Sequence, residues 1–421
     1  MGEARADRTS GTETSEPGAN PHWRRNLAVC VAGSFTTIVA MTLLVPYLPL
    51  YVRELGVTDD AAVMRWSGVA YGATFLTAAL AAPVWGALGD RYGRKPMLVR
   101  ASLGMAVAMS LLGLAENVYQ LVGLRLLVGL LGGYASGSTI LVAAQTPRRH
   151  SAWALGVLSA GIMGGNVAGP LLGGVLPETI GARRSFLLTG GLIFLAFLAT
   201  VLLLREDRPA RPTSRAGGPV PGDGAHRLPA AAYRLLVTGM LVLFATMSIE
   251  PLVTLFVAEL GGPSGAATWS GVVMALGALG SILAAPRVGR FADRVGTRPV
   301  IVVCLVGSAV SVLLQAVAPD VVVLAALRLV MGAFLGGLLP AVTSALRHVV
   351  PDDRVGRVLG YGVSAQYAGQ VLGPLVGGVL GGAFGMRSAF VGTALVLGLA
   401  AVVNVTAPRT SAVASEPVSS R

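Results

Sequence analysis

Lysine occurs once in this 421-residue sequence, at Lys95, and histidine four times, at His22, His150, His226 and His348. The single lysine follows Arg94 rather than glycine, which excludes a phosphate-binding loop ending in Gly-Lys-Ser/Thr and ATP hydrolysis by that route. The histidines lie apart from one another and from the two cysteines, Cys30 and Cys304, so no metal-ligand spacing is present. The cysteines fall in apolar stretches of different halves, which points to buried thiols rather than a disulfide. No nucleophile sits beside an evident base. Charge is scarce as well: 12% of residues are Asp, Glu, Lys or Arg, against 54% apolar ones, and mean hydropathy is +0.71. A soluble chain of this length needs far more surface charge. No cofactor is expected.

The apolar residues gather into twelve stretches near 27–51, 65–88, 97–115, 119–144, 152–176, 184–204, 233–259, 268–288, 299–318, 321–346, 356–380 and 387–406. Each approaches the roughly 20 residues that a helix needs to cross a bilayer. They lack the alternation of a membrane barrel, and their Gly and Ala suit close helix packing in lipid. The fold class predicted is therefore an all-α membrane protein of twelve transmembrane helices. With both termini cytoplasmic, 25 of the 32 lysines and arginines fall in cytoplasmic segments, as the positive-inside rule requires. The net charge of +12 is thereby explained, and basic residues scattered over short loops argue against nucleic acid as a partner.

The chain also repeats itself. Gly86–Pro96 (GALGDRYGRKP) returns as Gly289–Pro299 (GRFADRVGTRP), Trp66-Ser67-Gly68 as Trp269-Ser270-Gly271, and Arg125 as Arg328. Gly165, Gly169, Pro170, Gly173 and Gly174 return as Gly369, Gly373, Pro374, Gly377 and Gly378. Two related six-helix bundles in the same order follow, expected at 23–204 and 233–407. A Pro-, Gly- and Arg-rich cytoplasmic linker is expected at 205–232, with polar disordered tails at 1–22 and 408–421.

The first loop copy places one acid and three bases in a tight, glycine-permitted turn: Gly86, Asp90, Arg91, Gly93, Arg94 and Lys95. A bare positive-inside anchor accounts for the bases but not for Asp90, for its echo Asp293 beside Arg294, or for the glycines, so a cytoplasmic gate is expected. These residues resemble the loop signature G-x-L-a-D-r-x-G-r-k of the major facilitator superfamily. Arg125 with Gly129 is similar to that family's arginine motif in the fourth span, although Val128 stands where glutamine is usual. Gly165, Gly169, Pro170, Gly173 and Gly174 match its antiporter signature G-x-x-x-G-P-x-x-G-G. The resemblance implies rocking of two bundles about a midplane site, cavity walls from spans 1, 4, 7 and 10, drug:proton exchange, and a monomer.

Away from the span ends, three ionisable residues remain: Arg125, Glu250 and Arg328. Charge at such depth is costly and marks functional sites. Glu250 lies about 15 Å, and the arginines about 10 Å, below the outer surface at 1.5 Å rise per residue. Glu250 is the expected proton acceptor, with Arg125 or Arg328 competing with the proton for its carboxylate. A static ion pair and direct binding of a cationic substrate are the alternatives. Pro251 predicts a kink at the same point. The repeat sets Val45-Pro46 opposite Glu250-Pro251, which makes the acid an addition to the shared scaffold. Tyr47, Tyr71, Phe75, Phe244, Phe256 and Tyr367 are candidates for an apolar substrate wall, and Asn166 and Gln370 for its polar contacts; aromatic residues in such spans more often face lipid or core, and the two amides more often hydrogen-bond across helices.

Export of hydrophobic or amphipathic small molecules across the plasma membrane in exchange for protons is the reading these features favour. Import of a solute by the same fold, and a sensor that moves nothing, are its rivals.

Overall fold

A computed structural model of the chain describes residues 20–206, 228–261, 264–351 and 354–406. In hydrocarbon every backbone N–H and C=O must find its partner within the protein, so spanning segments of this composition become helices. Twelve are long and apolar enough to cross a bilayer. The first six are α1 (Trp23–Glu54), α2 (Asp60–Tyr92), α3 (Arg94–Leu112), α4 (Val118–Gln145), α5 (Arg148–Ile180) and α6 (Ala182–Leu203). The second six are α7 (Ala230–Gly261), α8 (Ala266–Val295), α9 (Thr297–Gln315), α10 (Val321–Val349), α11 (Val355–Phe384) and α12 (Met386–Thr406).

Repetition in the sequence becomes repetition in local structure. Gly93 and Gly296, which turn the chain from α2 into α3 and from α8 into α9, hold φ of +98° and +91°, where a side chain would be strained. Asn117 and Asp320 cap α4 and α10, accepting from the backbone N–H of Gln120 at 3.0 Å and of Val323 at 2.8 Å. Lys95 and Arg298 cap the C-terminal ends of α6 and α12: Lys95 donates to the Val201 and Leu204 carbonyls of the first bundle, Arg298 to those of Asn404 and Val405 in the second.

Four helices are interrupted, again in matched pairs. A 3₁₀ turn at Val45–Tyr47 breaks α1, and one at Glu250–Leu252 breaks α7. Each contains a proline that lacks an N–H and cannot continue the helical ladder. The second turn is the kink expected from Pro251. In α4 the break falls at Gly132-Gly133 and in α10 at Gly337, where the backbone leaves the helix between Leu131 and Tyr134 and between Gly336 and Leu338.

Helices α1–α6 and α7–α12 pack as two bundles, with α1 on α5, α2 on α4 and α3 on α6 in the first, and α7 on α11, α8 on α10 and α9 on α12 in the second. Backbones approach closely at glycines. A methyl group at Gly173 would overlap the Leu43 carbonyl, and one at Gly377 the Ser248 carbonyl, its repeat equivalent. Two further glycine seams join the bundles: α2 against α11, and α5 against α8. Gly68 there faces the Pro374 carbonyl and Gly271 the Pro170 carbonyl.

Both seams lie toward the end where α2 and α8 begin, here called distal. The proximal end carries Asn20, the Gly93 and Gly296 turns and Thr406. Among the described residues the bundles therefore meet distally and share no comparable seam proximally.

Boundaries differ from those expected. Asn20, inside the expected tail, is buried, and its amide donates to the Arg205 carbonyl at 2.9 Å. Arg205 and Glu206, inside the expected linker, are likewise packed against the first bundle. Helix α7 begins at Ala230 because the run Ala230–Ala232 favours helix directly after Pro229. Residues 1–19, 207–227 and 407–421, which hold the rest of the expected tails and linker, lie outside the described residues.

Gly173→Ala and Gly377→Ala are each expected to destabilise the protein by roughly 1–3 kcal/mol, as overpacking does. Gly156→Ala, at a helical glycine with open space around it, is expected to be neutral or slightly stabilising. Thermal unfolding in detergent measures all three.

Candidate functional site

Between the bundles, on the proximal side of the seams, lies a cavity of about 470 Å³. This falls within the usual range for small-molecule sites. Its floor is set by the broken helices: Val45 from the α1 turn and Glu250 from the α7 turn both line it. Its walls rise along one face each of α5, α7, α8 and α10. Leu243, Met247 and Glu250 follow helical spacing in α7, and Arg328, Met331, Leu335 and Leu339 do so in α10. Met163 and Asn166 from α5, and Met274, Ser281 and Ile282 from α8, complete the wall.

Glu250 occupies the first position of the 3₁₀ turn, so its side chain leaves the helix where the ladder is already interrupted. Its Oε1 lies 3.6 Å from Nη1 of Arg328, with the two side chains 17% and 2% exposed. Glu250 is the one acid and Arg328 the one base among the residues lining the cavity. The pair is close enough for Coulomb attraction of about 4–5 kcal/mol at an effective dielectric near 20. Desolvation offsets most of it. Contact is incomplete: Nε and Nη2 of Arg328 have no hydrogen-bond partner.

Arg125, expected to share in this contact, faces elsewhere. Its Nε donates to the Ala70 carbonyl at 3.3 Å, and its guanidinium stands 5.8 Å from the centre of the Tyr71 ring. Its Nη1 has no partner, and the residue is 1% exposed. Tyr71 lines the cavity and Arg125 does not. The repeat explains the difference: Val45, opposite Glu250, offers Arg125 no carboxylate.

Of the other expected wall residues, Asn166 lines the cavity, with its amide Nδ2 donating to the Ile162 carbonyl at 3.2 Å. Tyr47, Phe75, Phe244 and Gln370 are not among the lining residues. Tyr47 is buried in the α1 turn with its hydroxyl on Glu54, Phe75 packs edge-on to Tyr71, and the Phe244 backbone abuts Gly369 in the α7–α11 contact. Gln370 is half-buried on α11. Phe256 is fully buried against Phe390.

Four methionines, Met163, Met247, Met274 and Met331, were not singled out by sequence. A usable signal was present: Met247 stands three residues before Glu250, and Met331 three after Arg328.

The antiporter-motif residues divide their work. Gly165, Gly169 and Gly173 let α5 close on α1, while Pro170 and Gly174 form the seam with α8. At the proximal end Asp90 pairs with Arg94 across the Gly93 turn, and Arg91 stacks on Tyr92. Glu206 accepts from the backbone N–H of Arg94 and of Lys95, at 2.7 Å each, and so caps α3. Gly86 sits in open space, and Asp293 and Arg294 are exposed at the end of α8.

The chain matches the sequence profile of the Major Facilitator Superfamily over residues 30–268 and 235–420. It belongs to that superfamily. Curated relatives described as "Multidrug resistance protein MdtG" include one from Enterobacter lignolyticus, 39% identical over 377 residues, covering 89% of this chain and 90% of the relative. Another, from Klebsiella pneumoniae, is 38% identical over 398 residues and covers 94% and 97%.

Among solved structures, a bacterial homolog of the human lysosomal transporter Spinster, in an inward-facing and unoccupied conformation, superposes with a TM-score of 0.73 at 18% identity. The match covers 92% of this chain and 97% of that one. The nucleoside transporter NupG gives 0.72 at 13% identity, covering 92% and 98%. As a major facilitator the chain is a multi-pass membrane transporter, not an enzyme.

Arg328→Leu leaves the Glu250 carboxylate unpaired and is expected to lower stability by roughly 3 kcal/mol, whereas Glu250→Leu with Arg328→Leu recovers most of the loss. A double-mutant cycle by thermal unfolding in detergent reads the coupling.

Proposed function

We propose that this transporter exports hydrophobic or amphipathic small molecules in exchange for protons, with both termini in the cytoplasm. The observation that carries the reading is the single carboxylate of the cavity, Glu250, held 3.6 Å from Arg328 at a helix break. A lone acid in an apolar, methionine-rich chamber can hold a proton or a cationic partner, but not both at once. The relatives' description as multidrug resistance proteins supports the substrate class.

On this reading the proximal side is cytoplasmic, and the cavity, which lies proximal to the seams, is reached from it. A substrate entering from there meets thioether and aliphatic surface that adapts to varied shapes. Its binding favours loss of the Glu250 proton to the cytoplasm, and the carboxylate then pairs with Arg328 or with a cationic substrate. Rocking of the bundles opens the distal seams and closes the proximal side. Outside, protonation of Glu250 removes the charge that held the partner, the substrate leaves, and the protonated form returns. Arg125, buried without an acid, keeps the first bundle's face positive through this cycle. Each chain holds a complete cavity, in keeping with a monomer as the working unit.

Proteoliposomes with an imposed proton gradient test this with a panel of fluorescent cationic and neutral dyes. Wild type is expected to accumulate dye against its gradient and to stop when a protonophore is added. Glu250→Gln is expected to lose uphill accumulation while still equilibrating dye. Uphill transport that ignores the protonophore, or normal coupling in the variant, contradicts the reading.

A further inference from the structure

The distal seal is built largely from repeated glycine contacts, and to these Glu178 adds polar contacts that have no copy. At the α5–α8 seam, Glu178 in the last turn of α5 reaches across the bundle boundary to the start of α8. Its Oε1 accepts from the backbone N–H of Ala267 at 3.1 Å and of Thr268 at 3.4 Å. Its Oε2 accepts from the Thr268 hydroxyl at 2.6 Å, with the Gly174 carbonyl 3.2 Å from the same hydroxyl. At the matching α2–α11 seam the equivalent position is Gly382, which packs against the Ala61 backbone and offers no acceptor side chain. There α2 is capped from within its own bundle, by Asp59 accepting from the Ala62 N–H at 2.8 Å. Helix α8 has no such cap: its N-cap is Gly265, in the left-handed region at φ +75°, without a side chain to supply one.

The first N–H groups of a helix need acceptors, and a residue of the same helix can normally supply them. Here they are satisfied by a carboxylate of the other bundle, across a boundary that parts when the transporter opens distally. We infer that Glu178 is a latch on the distal seal, holding the proximally open state through charge-assisted hydrogen bonds that only that state can form. The inference rests on the alternating movement of the bundles proposed above, and not on the substrate or the proton. One seam carries this carboxylate; at the other, among the described residues, glycines and apolar side chains meet without a carboxylate crossing it. Distal opening therefore requires release of α8 from α5.

Thiol labelling of a reporter cysteine in purified protein tests the latch without substrate or gradient. Thr254→Cys serves as the reporter: Thr254 is fully buried, and its hydroxyl donates to the Pro46 carbonyl of the other bundle at 2.6 Å. The native Cys30 and Cys304 are buried and give the background. Glu178→Ala is expected to raise the labelling rate at position 254 roughly three- to tenfold, the scale of losing charge-assisted hydrogen bonds at an exposed site. Asp320→Ala removes a helix cap that lies within one bundle and is expected to leave labelling unchanged. Unchanged labelling in Glu178→Ala, or an equal rise in both variants, overturns the proposal. Loss of dye transport in the assay above with labelling intact would count against the exporter reading and leave the latch standing.

Discussion

Inside a bilayer a side chain gains little by leaving lipid for protein, because both are apolar. Helices then cohere through close backbone approach and satisfied polar groups. This constraint explains where the glycines of the present chain sit. Gly173 against Leu43 and Gly377 against Ser248 bind helices within bundles, while Gly68 and Gly271 let the bundles touch across carbonyl oxygens. The same constraint limits irregular backbone to places where protein or a cavity surrounds it. The α1 and α7 breaks, at Val45–Tyr47 and Glu250–Leu252, accordingly form the cavity floor.

The break in α7 positions the one acid of that cavity. At the 3₁₀ turn the carboxylate meets Arg328 at 3.6 Å while keeping partial access to the cavity. The duplicated scaffold supplies two arginines but only one acid, so the halves are electrically unequal. Arg125 rests on the Ala70 carbonyl and the Tyr71 ring instead. The unequal seams at the distal end show the same pattern, in which a symmetric frame carries asymmetric polar contacts.

Most of the frame was legible in the sequence because membrane insertion imposes a strong pattern: long apolar runs, punctuated by Gly93 and Gly296 and their flanking charges. Pro251 announced its kink, since proline removes a donor whatever surrounds it. The breaks at Gly132-Gly133 and Gly337 gave no such notice, because glycine is common throughout these spans and most glycines here serve packing. Some of the aromatic residues misled for a related reason, although Tyr71 does line the cavity. Tyr47 and Phe244 were as apolar and as deep as wall residues, and only tertiary contacts show that one bonds Glu54 and the other packs into the α7–α11 contact. The methionine wall was hidden because a methionine among leucines carries no distinct signal unless spaced from a known charge. Which arginine meets Glu250 depends on helix rotation, which hydropathy in a uniformly apolar span does not report.

On the mechanism proposed above, the charge state of Glu250 sets the balance between proximally and distally open forms. Spin labels placed on the exposed proximal ends of α2 and α8, read by pulsed electron resonance across a pH series, measure that balance directly. In wild type the interbundle distance distribution is expected to shift with pH, and in Glu250→Gln to stay pH-independent, fixed near the form that wild type adopts at low pH. A pH-driven shift that persists unchanged in Glu250→Gln would contradict the account.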